Sequence, residues 1–401
     1  MTAPLKGLNG AEVSVGGQAR LPRGFVAHAA NVGIKDESLD FSIVASTLAC
    51  RAAGVFTRSI FAGPSVALCR RHLQEGSPRA IITVSKNANV ATGAQGEGDA
   101  AELARGVAEL IGSGPADVLV ASTGVIGRPL PMPRLRAHLQ QLADPRTWVD
   151  GLPEVARAIM TTDTVPKLAE AHLGGITIAG VAKGSGMIQP DMATLLAYVF
   201  TDADVPASQL DGAWRRAADA TFNCLSIDTD TSTSDSAIVL ANGAAGRPEP
   251  AAFEAALRAV CQSLVLQLAA DGEGATKVIE VTVRAARDEA QAKRVAKAVV
   301  NSPLVKSAVH GSDPNWGRVI MAIGKCSEDT DIRPEVVKVS FDGREVYPRR
   351  LDEVDLAEVA KVMQAGKVDI NVFLGTGQAQ ATVWGCDLSA DYVRINADYT
   401  T

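Results

Sequence analysis

Apolar positions along the chain follow two rhythms. Leu103, Val107, Leu110 and Ile111 recur at three- and four-residue spacing, as do Phe253, Leu257, Val260, Leu264 and Leu268. Each set predicts a helix with one buried face, the second stopping before Asp271-Gly-Glu-Gly274. Residues 351–366 read as a third helix. The other rhythm is short apolar runs: 117–121, 278–283 and Met192-Ala-Thr-Leu-Leu-Ala-Tyr-Val-Phe200 read as strands, the last of them buried. Asp342-Gly343, between 337–341 and 344–347, carries a hairpin signal, and two more strands flank Gly375-Thr-Gly377. Helices and strands alternate without linker, repeat or low-complexity tract, so the expected class is α/β to α+β. The pattern does not give the strand order.

At 401 residues the chain exceeds the usual single-domain size and can bury a large core. Aromatics are 4% against 36 glycines, which favours tight turns and close backbone approaches over stacking platforms. A formal charge of −6 without a long basic run argues against a nucleic-acid surface. No apolar stretch is expected to reach the ~20 residues that span a bilayer. The N-terminus lacks a charged segment followed by an apolar one. A cytoplasmic protein away from membranes is therefore expected. Cys50, Cys69, Cys224, Cys261, Cys326 and Cys386 are scattered and read as small buried hydrophobes in a reducing compartment. The histidines are equally dispersed, and no metal site is predicted.

The candidate chemistry begins at Thr194, which follows small Ala193 where an apolar run starts. A hydroxyl there reaches the preceding carbonyl through a five-membered ring, shifting the acyl group from nitrogen to oxygen before hydrolysis. The α-amine so released, with an ordinary pKa of ~7.7–8, can act as base for the hydroxyl of the same residue. The plain alternative is a threonine in a buried strand. Ser122-Thr-Gly124 falls at the end of a strand, where it is either a turn or a pair of donors for a developing oxyanion. Lys183 opens a Gly-rich loop whose order is wrong for a phosphate-binding Walker loop. Glu273 between two glycines reads as a turn or helix end. The run Ser226–Asp235 suits a polar turn or buried network better than a Mg²⁺ or Ca²⁺ site.

Taken together and in order, these segments resemble the ornithine acetyltransferase (glutamate N-acetyltransferase) family. The resemblance rests on Lys183–Thr194 as a processing segment, Ala121-Ser-Thr-Gly-Val-Ile-Gly127, Ala158-Ile-Met-Thr-Thr-Asp-Thr164 and Ser226–Asp235. It continues through Asp271-Gly-Glu-Gly-Ala-Thr-Lys277, His310-Gly-Ser-Asp-Pro-Asn-Trp-Gly-Arg318 and Tyr392–Thr401, covering the chain from about Gly24 onward. Pro190-Asp-Met-Ala-Thr-Leu-Leu196 is especially similar to the family branch found in clavulanic-acid clusters, while Gln189 and Asp191 depart from the commoner wording.

The resemblance implies a layered sandwich of sheets and helices with its own topology. It implies self-cleavage into fragments 1–193 and 194–401, and a dimer of cleaved pairs, that is, a heterotetramer. Thr194 would be the nucleophile and Thr123 with Gly124 the oxyanion hole. Thr161 or Thr162, Lys183, Thr194, Glu273, Asn396 and Thr401 would hold substrate, Lys183 facing a carboxylate and Glu273 the ammonium of ornithine. His310, Asp313, Asn315 and Arg318 would be structural support near the site. The implied substrates are N²-acetylornithine and glutamate, with no cofactor. Rival expectations are an N-terminal-nucleophile amidohydrolase or aminopeptidase, in which water takes the acyl group, and a binding protein that never cleaves.

Overall fold

The computed structural model describes residues 12–15 (backbone only), 19–189 and 195–398. Ala193, Thr194 and Thr401 lie outside the described residues. A four-stranded sheet runs in the order Phe25–Ala30, Phe41–Ser46, Ala80–Val84, Val118–Ser122, antiparallel except for its last, parallel junction. Phe41–Ser46 and Ala80–Val84 are buried at every position, because both faces of the sheet are covered. Helices Gly93–Ile111 and Met132–Gln141 cover one face through Leu103, Val107 and Leu135.

A six-stranded sheet covers the other, ordered Glu12–Val15, Lys167–Leu173, Ile176–Lys183, Leu196–Ala203, Ser236–Gly246, Arg51–Phe56. The two sheets meet through Phe25 and Phe200, whose ring centroids are 5.4 Å apart, and through a 2.9 Å bond between the Tyr198 and Thr83 hydroxyls. A buried phenol needs such a partner. Leu196–Ala203 is buried throughout, which is why it reads in sequence as a continuous apolar run. It pairs antiparallel with Ile176–Lys183 and parallel with Ser236–Gly246.

Helices Ala207–Ala220 and Pro250–Ala270 pack behind this sheet, and Pro250–Ala270 also touches a third sheet. That sheet is ordered Leu225–Ser226, Ala379–Cys386, Val278–Ala286, Lys367–Phe373, Lys338–Phe341, Arg344–Tyr347. The layered α/β architecture expected from the sequence is therefore present. At 21 residues Pro250–Ala270 is long and apolar enough to cross a bilayer, which corrects the expectation that no stretch reaches that length. Its apolar positions Phe253, Leu257, Val260, Leu264 and Leu268 are buried in the protein's own core, and Glu254 on its flank pairs with Arg216. Glu254, Arg258 and the glutamines interrupt the apolar run in sequence, which hid its helical length.

The remaining expectations differ mainly at boundaries. Asp342 and Gly343 adopt φ of 46° and 79°, the left-handed pair of a tight hairpin. The helix placed at 351–366 spans Glu353–Val362, since Asp352 caps it by accepting from Asp355 N at 2.8 Å.

Candidate active site

Several chain segments converge on one pocket where the Val118–Ser122 and Ile176–Lys183 strands end and Leu196–Ala203 begins. Its lining includes Thr123, Gly124, Thr161, Thr162, Lys183, Leu195, Glu273 and Asn396. Every described residue for which a role in catalysis or binding is predicted thus borders the same space. Lys183 ends its strand opposite Leu196 in the antiparallel ladder. Its side chain is buried, and its Nζ lies 3.3 Å from the Thr123 hydroxyl, to which it donates. A buried lysine is the opposite of the solvated one that an isolated lysine usually is.

Thr123 N donates to Val84 O at 3.1 Å, continuing the strand, and Gly124 then turns with φ of 129°. A Cβ at Gly124 would lie 2.2 Å from the Lys86 carbonyl carbon, so only glycine allows this approach. At Gly186 the neighbour is a side chain. A Cβ there would meet the Glu273 carboxylate, whose nearest atom would be 2.4 Å away. Glu273 is held from both ends: its N–H donates to Ser185 O at 2.8 Å, and its Oε2 accepts from Asn396 Nδ2 at 2.8 Å. Thr162 shares a 2.6 Å hydroxyl bond with Ser185, whereas Thr161 is tied through its backbone N–H to Asp163.

Asp228, in the polar run, accepts from Met187 N at 2.6 Å and Ile188 N at 2.8 Å, and so fixes the loop after Lys183. That run is a hydrogen-bonded network, as expected. Gln189 anchors outward: its Oε1 accepts from Asn301 Nδ2 at 2.8 Å. His310 Nδ1 sits 2.7 Å from Asp387 Oδ2, and Asp387 Oδ1 accepts from Thr276 N and Lys277 N. None of His310, Asp313, Asn315 and Arg318 lines the pocket: His310 holds Asp387 at the end of Ala379–Cys386, and Arg318 donates to Leu304 O at 2.8 Å.

A sequence model of the ArgJ family matches residues 26–401. The chain belongs to the ArgJ family. It is 53% identical over 380 residues to Arginine biosynthesis bifunctional protein ArgJ 2 of a Nostoc species, covering 95% of this chain and 98% of that protein. It is 52% identical over 388 residues to Glutamate N-acetyltransferase Oat2 of Streptomyces clavuligerus, covering 95% of this chain and 98% of that one. Among solved structures, the ArgJ protein of Bacillus halodurans is 39% identical, covers 50% of this chain and 98% of its own, and has a TM-score of 0.47.

Beneath the pocket lining of this ArgJ-family chain lies a layer that sequence reasoning missed. Lys167 Nζ bonds Asp163 Oδ1 at 2.5 Å and also Asp271 Oδ2, with the lysine fully buried. Asp163 further accepts from Gly184 N at 2.6 Å and Thr161 N at 2.9 Å, and Asp271 accepts from Thr164 N at 3.0 Å. One ammonium thereby ties together the segments bearing Thr161, Lys183 and Glu273. Burial pushes the Asp163 carboxyl up, but the ammoniums of Lys183 and Lys167 outweigh it and hold its pKa at about 2. Burial lowers the Lys183 pKa, against the pull of Asp163. Asp163 and Asp271 stand inside the motifs quoted above, so their presence was visible. Nothing in the spacing of Lys167 pointed to them.

Proposed function

We propose that this member of the ArgJ family is a self-processing glutamate N-acetyltransferase that moves the acetyl group of N²-acetylornithine to glutamate. The observation that carries the reading is the convergence of Thr123, Gly124, Lys183, Glu273 and Asn396 on one pocket beside Leu195. Cleavage between Ala193 and Thr194 frees the amine of Thr194, which takes the hydroxyl proton. The oxygen attacks the acetyl carbonyl, ornithine leaves, and an acetyl-threonine ester remains. The α-amine of glutamate then attacks the ester and leaves as N-acetylglutamate.

Thr123 and Gly124 supply donors to the oxyanion of both half-reactions. Lys183 binds the α-carboxylate that both substrates share, and Glu273 takes the side-chain ammonium of ornithine. Thr161 is the better hydroxyl ligand, because that of Thr162 is engaged by Ser185. Fragments 1–193 and 194–401 stay together because the second sheet alternates between them. Ile176–Lys183 pairs with Leu196–Ala203, and Arg51–Phe56 with Ser236–Gly246. Thr401 would be a further ligand, and two cleaved pairs would form the heterotetramer, which light scattering on the purified protein checks.

Denaturing mass spectrometry of the protein beside Thr194→Ala tests the processing. Fragments ending at Ala193 and beginning at Thr194, absent from the variant, are expected. Acetyl transfer is then followed with and without glutamate. Release of acetate alone would replace the transferase by an amidohydrolase, and an intact, inactive chain would replace it by a binding protein.

A further inference from the structure

One carboxyl of the pocket has no part in the steps above. Asp235 immediately precedes the strand Ser236–Gly246, and Ser236 N donates to Leu195 O at 2.9 Å. This seats Asp235 beside the first described residue after the processing segment. It lines the pocket with Thr123, Gly124 and Lys183 and is 2% exposed. Among the described residues its Oδ2 has no hydrogen-bond partner. Leaving a buried polar atom unpaired costs about 1–3 kcal/mol, and at a pocket wall such an atom calls for a ligand that supplies the contact.

The neighbouring carboxylates are differently placed. Asp228 gives its two oxygens to Met187 N and Ile188 N, and Asp163 is held by Lys167, Gly184 N and Thr161 N. Glu273 is bound by Asn396. Asp235 is the buried carboxyl of the lining, and its Oδ2 has no partner among the described residues.

We propose that Asp235 is the acid–base group for the reacting nitrogen of the substrates, a role that rests on the acetyl-transfer reading above. In the first half-reaction the Thr194 amine takes the hydroxyl proton, the Oγ–acetyl bond forms and the acetyl–nitrogen bond breaks. The departing α-nitrogen of ornithine takes the proton of the Asp235 carboxylic acid, leaving a carboxylate. In the second, the α-ammonium of glutamate returns a proton to that carboxylate and its amine attacks the ester. The Oγ–acetyl bond breaks, and Oγ recovers its proton from the Thr194 ammonium. One further proton is taken up by released ornithine and one is given up by the new amide nitrogen, both exchanged with solvent, so the cycle closes. Burial pushes the Asp235 carboxyl well above the usual carboxylate range, against its bond to Ser232 and the ammonium of Lys183. It therefore carries a proton where an exposed aspartate would not.

The test compares the parent with Asp235→Asn and Asp235→Glu. Transfer rates are measured from about pH 5 to pH 9 and normalised to cleaved protein by intact mass. General acid–base groups contribute ~10²–10⁴ in rate, so Asp235→Asn is expected to lose at least about a hundredfold and one limb of the pH profile. Asp235→Glu keeps an ionisable proton and is expected to retain more activity, with that limb displaced. A packing role predicts the reverse order, since Asn is nearly isosteric and Glu is not. Asn at the parent's rate and pH profile, or Glu with an undisplaced profile, would overturn the inference. The Glu variant keeps the test decisive where the Asn variant does not cleave. A parent that cleaves yet transfers no acetyl group would overturn the acetyl-transfer reading itself, and the role of Asp235 with it.

Discussion

The floor and the wall of the pocket hold the same residue type in opposite states. On the floor, Asp163 is buried, accepts from Lys167, Gly184 N and Thr161 N, and is held as a carboxylate with a pKa of about 2. On the wall, Asp235 is also buried and close to the same Lys183, yet burial drives it toward the neutral acid. Burial alone does not decide charge. The charges beside each carboxyl do: the ammoniums of Lys183 and Lys167 together outweigh the desolvation of Asp163, whereas Ser232 and Lys183 do not outweigh that of Asp235. The floor is thereby a fixed anionic frame around cations, and the wall keeps a proton that can be exchanged.

The largest break in this comparison is Lys167→Met. It removes the ammonium shared by Asp163 and Asp271 and leaves two buried carboxylates without their cation. Removing one partner of a buried pair costs about 3–5 kcal/mol, and the loss of unfolding free energy in urea should fall in that range. Adding Asp271→Asn to Lys167→Met should recover part of it. A loss below about 1 kcal/mol would mean that the cluster does not hold the floor together.

Next in size is Thr123→Val, which removes a buried hydroxyl of the lining together with its 3.3 Å bond from Lys183 and leaves Asp163 and Asp235 in place. Losing an oxyanion donor typically costs ~10²–10³ in rate. Acetyl transfer should drop accordingly while the thermal midpoint stays close to that of the parent. An unchanged rate would remove the Thr123 hydroxyl from the oxyanion hole.

Titration separates floor from wall by sign. The Asp163 pKa is depressed to about 2 from 3.8, so its contribution is present above about pH 4 and is lost as pH falls toward 2. At 1.36 kcal/mol per unit this amounts to roughly 2 kcal/mol. Asp163→Asn should flatten the stability profile across that window. The Asp235 pKa is raised, so its contribution is present at low pH and is lost as pH rises through the folded value. Asp235→Asn should therefore gain on the parent as pH rises and match its pH dependence in acid. Parallel pH profiles for the two variants would refute the contrast.

How much of this was legible in the sequence depends on what each residue's state depends on. Gly124, Lys183 and Glu273 stand in local motifs, and local motifs survive translation into structure. The helix Pro250–Ala270 was legible from its buried face, but its full apolar length was not, since Glu254 and Arg258 break the run in sequence while the helix keeps both at the surface side. Lys167 was silent because its partner Asp271 is 104 residues away and meets it only through the packing of Pro250–Ala270 on the second sheet. The opposite states of Asp163 and Asp235 depend on how closely the ammoniums of Lys183 and Lys167 approach each carboxyl, which the folded chain sets and no spacing encodes.

The smallest expected effect sharpens the same contrast from outside. Arg216 grips Glu254 through two bonds of 2.7 Å, a fork as well formed as any contact on the floor. Both side chains are largely in water, the arginine 63% and the glutamate 34% exposed. Solvent screens the pair and its ordering costs side-chain entropy, so exposed pairs contribute about 0.2–1 kcal/mol. A double-mutant cycle with Arg216→Ala and Glu254→Ala should give a coupling within that range, shrinking further in added salt. Good geometry in water would then be worth a fraction of the Lys167 cluster. A coupling of several kcal/mol would instead place the stability in bond geometry and take burial out of the account.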